Sequence, residues 1–210
     1  MAIATAPAPS SQTPALPAAP EDVRPELSRR GASVLGAALF VAASAMATGA
    51  LVATALALDA APGPWRPRGV NLSTYLPNML LITAVMSSTT AGWMLWAIRR
   101  ADRRTTVTAC VLTLFLAMAM ANGQSYLMTH ADAGVEIGAN AFSTLFVVFT
   151  GFHLVHAIAG VVLLGVVLGR TIAGQFSADE HDAMAATTMF WHWANLVWFA
   201  AYGVFWVMGK

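Results

Sequence analysis

The sequence predicts an all-α membrane protein, a bundle of five transmembrane helices, and two observations lead to this fold class. First, 58% of the 210 residues are hydrophobic and only 10% are charged, with a mean hydropathy of +0.65. A soluble domain is nearer a quarter charged, and so few charges would leave large apolar patches on its surface. Second, the charges are unevenly distributed, because five long stretches of the chain carry none.

Each uncharged stretch is long enough to be a transmembrane helix. About 20 apolar residues span the ~30 Å hydrocarbon core of a bilayer, where only helices and closed barrels satisfy their backbone polar groups. The stretches are continuously apolar and do not alternate, which excludes barrel strands. The predicted helices cover residues 31–58, 73–98, 105–129, 137–169 and 183–209.

The residues before the first helix are predicted to be a disordered, Pro- and Ala-rich tail (1–29), followed by a five-helix domain (30–210). Six of the ten prolines lie in the first 25 residues, among Ala, Ser and Thr. Such a segment buries too little apolar surface to fold. It has no basic start followed by an apolar run, so a signal peptide is not expected.

Basic residues predict the orientation of the bundle. With five spans, eight arginines fall on one side of the membrane, while Arg66, Arg68 and Lys210 fall on the other. The larger set contains Arg24, Arg29, Arg30, Arg99, Arg100, Arg103, Arg104 and Arg170. The positive-inside rule then places the N-terminus in the cytoplasm and the C-terminus in the periplasm or outside.

Three histidines are the only ionisable candidates for a site inside the predicted spans, which contain no Asp, Glu, Lys or Arg. His153 and His156 are three residues apart on the fourth helix and share one face, and His192 lies on the fifth. A histidine from each helix could ligate a b-type haem iron. Alternatively, the imidazoles make hydrogen bonds between helices. We expect the three to form a polar layer between the fourth and fifth helices.

The fifth helix is predicted to be a contact helix because it is rich in aromatic residues. Trp198 and Asn195 lie well inside this span, together with Trp191 and Trp193. An interfacial aromatic belt would lie at the membrane surface instead.

The single cysteine, Cys110, excludes a disulfide scaffold and a CxxC site. The net charge of +1 indicates no nucleic-acid partner.

Two motifs of the predicted fourth and fifth helices carry a family resemblance. Residues 150–164 read TGFHLVHAIAGVVLL, which through Gly151, His153, His156 and Gly160 is similar to the Thr-Gly-Phe-His…His…Gly pattern of subunit III of haem–copper (cytochrome c) terminal oxidases. Residues 190–206 read FWHWANLVWFAAYGVFW, which resembles the family's final helix through His192 and Trp198. The segment Leu76-Pro77-Asn78 and the pair Gln124 and Tyr126 are further points of resemblance.

The chain also departs from the family pattern at three places. Ser44 stands where the family usually has a carboxylate in its corresponding helix, and Asn195 stands where the final helix has Asp. The pair Ser87 and Ser88 comes about two residues later after Asn78 than the pattern has it. The resemblance therefore implies a diverged member of the five-helix bacterial form.

The resemblance implies a non-catalytic subunit of a respiratory terminal oxidase in the bacterial plasma membrane. Such a subunit packs on subunit I, in a complex with subunit II, and retains phospholipid. It holds no cofactor, because haem and copper are in the partner subunits. The residues implied in structural, lipid or subunit contacts are His153, His156, His192, Trp198, Asn195, Gly151, Gly160, Asn78 and Gln124. No catalytic residue is expected in this chain.

Two alternative functions stay open at this point. An accessory protein of a nitric oxide reductase complex would share the fold, and only the identity of the catalytic partner separates the two. A small b-type haem membrane anchor would use the histidines as axial ligands.

Overall fold

The computed structural model describes residues 31–68, 70, 72–130, 135 and 138–208, and they form five α-helices. The predicted tail, together with Arg24, Arg29 and Arg30, lies outside the described residues. No strand is present in the described part of the chain, so the predicted all-α class is confirmed. The helices are α1 (Ala32–Asp59), α2 (Tyr75–Arg99), α3 (Arg103–Thr129), α4 (Ala141–Ile172) and α5 (Asp182–Tyr202), and a π-helical turn (Gly203–Met208) continues α5.

Four of these helices, α1 to α4, are long and apolar enough to cross a membrane by length and composition. The fifth helix carries polar side chains within its length, including His192 and Asn195, which lower its hydropathy. Its π-helical continuation adds six residues to 21. At ~1.5 Å per α-helical residue, α5 and this turn together also reach across a ~30 Å core.

Side chains at the helix starts explain two of the boundaries. Asn140 caps α4, because its side chain accepts a hydrogen bond of 2.8 Å from the Ser143 backbone N–H. The helix therefore begins at Ala141, later than the predicted 137, and it continues past Arg170 to Ile172. Asp102 caps α3 in the same way by accepting from the Thr105 N–H at 3.0 Å.

Helix α5 occupies the centre of the bundle. It contacts α1, α2 and α4, while α2 packs along α3 and α3 packs along α4. Trp191, Trp198 and Phe205 are fully buried on this central helix and its continuation. Gly160 of α4 permits the close approach, since a Cβ there would lie 2.3 Å from the Trp191 ring.

Helix α1 is the least buried of the five. Only Ser44, Thr48 and Ala55 are buried along its 28 residues, and Met46 is 79% exposed. It packs on α5 and, over a smaller area, on α4. Two of its three buried residues are polar, so specific hydrogen bonds contribute to its attachment.

The two ends of the bundle differ in charge. Arg99, Arg100, Arg103, Arg104 and Arg170 lie at one end, called here the basic end. There the Gly31 N–H donates to Asp182 at 2.6 Å and joins the starts of α1 and α5. At the other end Arg66 donates to the Phe205 carbonyl at 2.7 Å. The predicted membrane orientation follows from this asymmetry and stays a prediction.

Candidate functional site

The buried polar side chains of the bundle form two clusters where α5 meets its neighbours. The first, the Ser44 cluster, joins α1, α4 and α5 through Ser44, Phe152, His156 and Trp193. The second, the Ser87 cluster, joins α2 and α5 through Ser87, Ser88, Trp191 and Asn195. The first contains one of the positions where the sequence departs from the family pattern, Ser44, and the second contains the other two, Asn195 and the pair Ser87 and Ser88.

The hydrogen bonds of the Ser44 cluster form a directed chain. His156 Nδ1 lies 2.8 Å from the Phe152 carbonyl oxygen, which can only accept, so Nδ1 carries the proton. In a neutral imidazole Nε2 is then an acceptor, and the Ser44 hydroxyl donates to it across 2.9 Å. The Ser44 oxygen accepts from Trp193 Nε1 at 2.7 Å. The Ser44 hydroxyl therefore donates one hydrogen bond and accepts another at the same time.

Aromatic rings enclose the imidazole of His156. The Phe190 ring stacks on it at 6.0 Å with an interplanar angle of 10°, and Phe152 lies 4.5 Å away. Phe40 of α1 covers another side at 5.7 Å. The residue is only 6% exposed. In such apolar surroundings an unpaired ring nitrogen would be costly, which explains why both nitrogens have partners.

The Ser87 cluster brings the final-helix amide onto the serine pair. Asn195 Nδ2 donates to Ser88 Oγ at 2.8 Å and to Ser87 Oγ at 3.2 Å. Trp191 Nε1 also donates to Ser87 Oγ, at 3.1 Å, and the Ser87 hydroxyl donates to the Ala84 carbonyl at 3.1 Å. This contact joins two departures from the family pattern, Asn195 and the pair Ser87 and Ser88. Asn195 can donate these hydrogen bonds, whereas an ionised Asp at the same position has no donor.

His153 belongs to the interior of the bundle but not to either cluster. It is 1% exposed, and its ring centroid lies 5.2 Å from that of Trp198. Within the described residues, its Nδ1 and the indole nitrogen of Trp198 have no hydrogen-bond partner. His153 and Trp198 are therefore packing partners across α4 and α5.

His192 lies apart from the other two histidines, and the predicted three-histidine layer is wrong in this respect. Its side chain is half-buried and lines a groove of about 390 Å³ between α1, α2 and α5. His156 is held between α1, α4 and α5, on another side of the central helix. Only His153 and His156 of the three are buried at the contact of α4 with α5, and they have different partners there.

The remaining predicted residues have structural contacts. Asn78 accepts a hydrogen bond of 2.6 Å from the Tyr202 hydroxyl, and Gln124 donates to the Thr150 carbonyl at 3.3 Å. Gly151 lies against the end of Met128, 3.4 Å from where its Cβ would be. Each contact joins two helices, and the lipid or subunit contacts implied for these positions stay predictions.

Sequence reasoning missed the partners of these residues more than the residues themselves. Tyr202 was not predicted to be the partner of Asn78. Ser44 was identified as a departure from the family pattern, but not as the hydrogen-bond partner of His156. The sequence offers one signal for this contact. Ser44 has a small hydroxyl at the position where the family has an acid, and His156 is a polar residue within another predicted span.

The side chains of the two clusters hydrogen-bond neighbouring helices to one another. Among the described residues, no three His, Cys, Asp or Glu side chains lie close enough to hold a metal ion. The Ser44 hydroxyl is engaged as donor and acceptor, and Asn195 donates to both serines.

Comparison with known proteins identifies a family and several relatives that this sequence resembles. A family model described as cytochrome c oxidase subunit III matches residues 31–210. Cytochrome c oxidase subunit 3 of Scyliorhinus canicula is 31% identical over 147 residues, which cover 69% of this chain and 56% of that protein. The subunit 3 of Struthio camelus is 30% identical over 145 residues, 68% of this chain and 55% of that protein. For Gallus gallus the identity is 31% over 142 residues, with 67% and 54% covered. The chain spans about half the length of these curated relatives.

Proposed function

The chain belongs to the cytochrome c oxidase subunit III family, and from this premise we propose that it is a non-catalytic subunit of a respiratory haem–copper terminal oxidase. The complex reduces O2 to water with electrons from cytochrome c or quinol and pumps protons. In this proposal, haem and copper are held by the partner subunits, and the chain is embedded in a bacterial plasma membrane with its N-terminus in the cytoplasm.

The observation that carries the proposal is the use of the buried polar groups for helix packing. Ser44 bonds to both His156 and Trp193 and so links three helices, and Asn195 donates to Ser87 and Ser88 of α2. A proton-coupled transporter has chains of ionisable Asp, Glu or His side chains along its path. Side chains engaged in this way favour a rigid packing subunit, which would stabilise subunit I.

The first test is co-purification of the tagged full chain from its native membranes in mild detergent. We expect a subunit I and a subunit II in the same fraction, with haem bands in the reduced-minus-oxidised spectrum that disappear in a strain lacking subunit I. Co-elution with a nitric oxide reductase core would overturn the oxidase proposal. A haem spectrum from the chain alone would overturn the non-catalytic role.

The second part of the proposal is lipid retention in the His192 groove. This groove is almost wholly apolar, and it opens outwards between α1, α2 and α5. Its lining residues are Val41, Gly92, Leu95, Ala185, Thr188, Met189, His192, Trp193 and Leu196. An acyl chain would fill the groove and cover the apolar walls.

A matched pair of glycine variants tests this retention. Gly92 lines the groove, and nothing lies within 4 Å of where its Cβ would be, which is also true of Gly165 on the outer face of α4. Gly92→Leu is expected to lower the phospholipid that remains on the washed complex and to shorten its activity in turnover. Gly165→Leu serves as the control. Equal lipid content in both variants would contradict retention at this place.

A further inference from the structure

We propose that a second groove, at the basic end between α3 and α4, binds an anionic phospholipid. This arginine groove is lined by Arg103, Arg104, Val107, Thr108 and Ile172 and has a volume of about 500 Å³. Its lining residues belong to α3 and α4, and none belongs to the central helix α5. It shares no lining residue with the His192 groove.

The groove presents two cations and no anion. Arg103 and Arg104 are both exposed, and the lining contains no carboxylate. Among the acids of this end, Asp102 directly precedes the groove at the start of α3, where it accepts from the Thr105 N–H and interacts electrostatically with Arg104. Asp182 accepts from the Gly31 N–H, and Asp179 and Glu180 are on the connection before α5. A choline or ethanolamine ammonium therefore has no partner in the groove, and a net negative headgroup is favoured.

The two guanidinium groups are held differently. Arg103 donates to the carbonyl oxygen of Ile172, the last residue of α4, and this bond fixes it at the mouth of the groove. Arg104 donates no side-chain hydrogen bond to any described residue. Arg103 is thus positioned in advance, while the guanidinium donors of Arg104 are available beside the Asp102 charge, and a phosphate can accept from both arginines.

Apolar surface continues from the arginines towards the middle of the membrane. Val107 is one turn further along α3 than Arg103, about 6 Å deeper at ~1.5 Å per residue. Ile172 faces it from α4 and is 57% exposed. Cations at the rim above an apolar wall match an amphiphile whose phosphate lies at the surface and whose acyl chain runs inwards.

The inference extends the lipid retention proposed above and depends on it only for the placement in a membrane. The oxidase role can fail while the arginine groove stands, and the reverse is also possible. The two grooves are also separable by headgroup, because only the arginine groove selects for negative charge.

The test is a titration of the purified full chain with phosphatidylglycerol and with phosphatidylcholine, followed by native mass spectrometry. We expect tighter binding of phosphatidylglycerol, and we expect Arg103→Gln with Arg104→Gln to weaken it about 25-fold, on the order of fivefold for each arginine. The control is Arg99→Gln with Arg100→Gln, which removes the same charge from the same end outside the groove. It should leave the affinity within about twofold.

Further variants guard against a folding defect in the double substitution. Arg104→Gln alone leaves the bond from Arg103 to Ile172 intact and should still weaken phosphatidylglycerol by about fivefold. Val107→Trp fills the groove without changing its charge and should weaken binding as well. Equal loss in the control pair, equal affinity for both lipids, or inorganic phosphate that competes as well as the lipid would each overturn the proposal.

Discussion

Ser44 of α1 donates a hydrogen bond to His156 of α4, with 2.9 Å between Oγ and Nε2, although the two residues are 112 positions apart in the chain. The same hydroxyl oxygen accepts from Trp193 of α5 at 2.7 Å. One small side chain therefore connects three helices, at a position where a carboxylate is usual in the family that the sequence resembles.

Ser44→Ala should destabilise the bundle, because it leaves His156 Nε2 and Trp193 Nε1 without partners in an apolar region. We expect a loss of about 1–3 kcal/mol in unfolding free energy, since a buried polar group without a partner costs that amount. Unfolding in mixed detergent micelles measures it. Thr54→Ala is the control, because Thr54 is exposed on the same helix and bonds only to its own backbone at Ala50. Equal losses of unfolding free energy in the two variants would show that the hydrogen bonds of Ser44 to His156 and Trp193 add no stability.

A double-mutant cycle on Ser44 and Trp193 should reveal coupling between α1 and α5. Trp193→Phe removes the indole donor while Ser44 still donates to His156. We expect the two substitutions to be non-additive by roughly 0.5–1.5 kcal/mol, the usual range for hydrogen bonds between membrane helices. Additive losses would mean that the 2.7 Å contact contributes nothing to stability.

Among substitutions that add one carbon atom to α4, Gly160→Ala should be one of the most destabilising to the folded protein. A Cβ at this position would lie 2.3 Å from Trp191, a buried ring that also bonds to Ser87. Overpacking of this kind costs typically 1–3 kcal/mol. Gly165→Ala on the same helix has nothing within 4 Å, so it should be neutral or slightly stabilising through helix propensity. The difference in thermal midpoint between the two variants is the measurement.

The tautomer of His156 is a prediction for nitrogen NMR on selectively labelled protein. The contact to the Phe152 carbonyl requires a proton on Nδ1, and Ser44→Ala should leave that proton in place because Phe152 is unchanged. A proton on Nε2 in the native protein would contradict the direction of the hydrogen-bond chain.

The start of α3 should respond to acid through Asp102. Its side-chain hydrogen bond with Thr105 lowers the pKa of Asp102 below the ordinary value of 3.8, so the ionised form favours the folded state. The stabilisation is complete above the ordinary value and is lost as the pH falls through the lower, folded value. Hydrogen exchange of the Thr105 amide should accelerate in that window. In Asp102→Asn, which keeps a capping acceptor without a charge, the same amide should show no such pH-dependent step.

The helices of this protein were predictable because the signal for them is local. Absence of charge over 25 residues or more marks a membrane helix wherever the rest of the chain lies. The faces of those helices were not predictable, because a helix that is apolar all round carries no pattern that separates its buried side from its lipid side. His192 illustrates this: its depth could be counted from the helix start, but its rotation away from His156 could not.

The same reasoning explains which contacts of the site could be predicted from the sequence. His153 and His156 are on one helix three residues apart, so their shared face followed from helix geometry. The contact of Asn195 with Ser87 and Ser88 depends on the register of α5 against α2, and 107 or more residues separate them. Two departures that looked independent along the chain are neighbours in space.

The position of α1 has a consequence for how the bundle is made. Its contacts are with α5 and α4, and α5 begins at Asp182, long after α1 ends at Asp59. At ~5–20 residues per second of synthesis, the first helix spends roughly ten seconds in the bilayer before its main partner exists. The bundle is therefore completed by its last helix, and a ribosome that stops before Trp193 leaves the first helix without the hydrogen bond that its indole donates to Ser44.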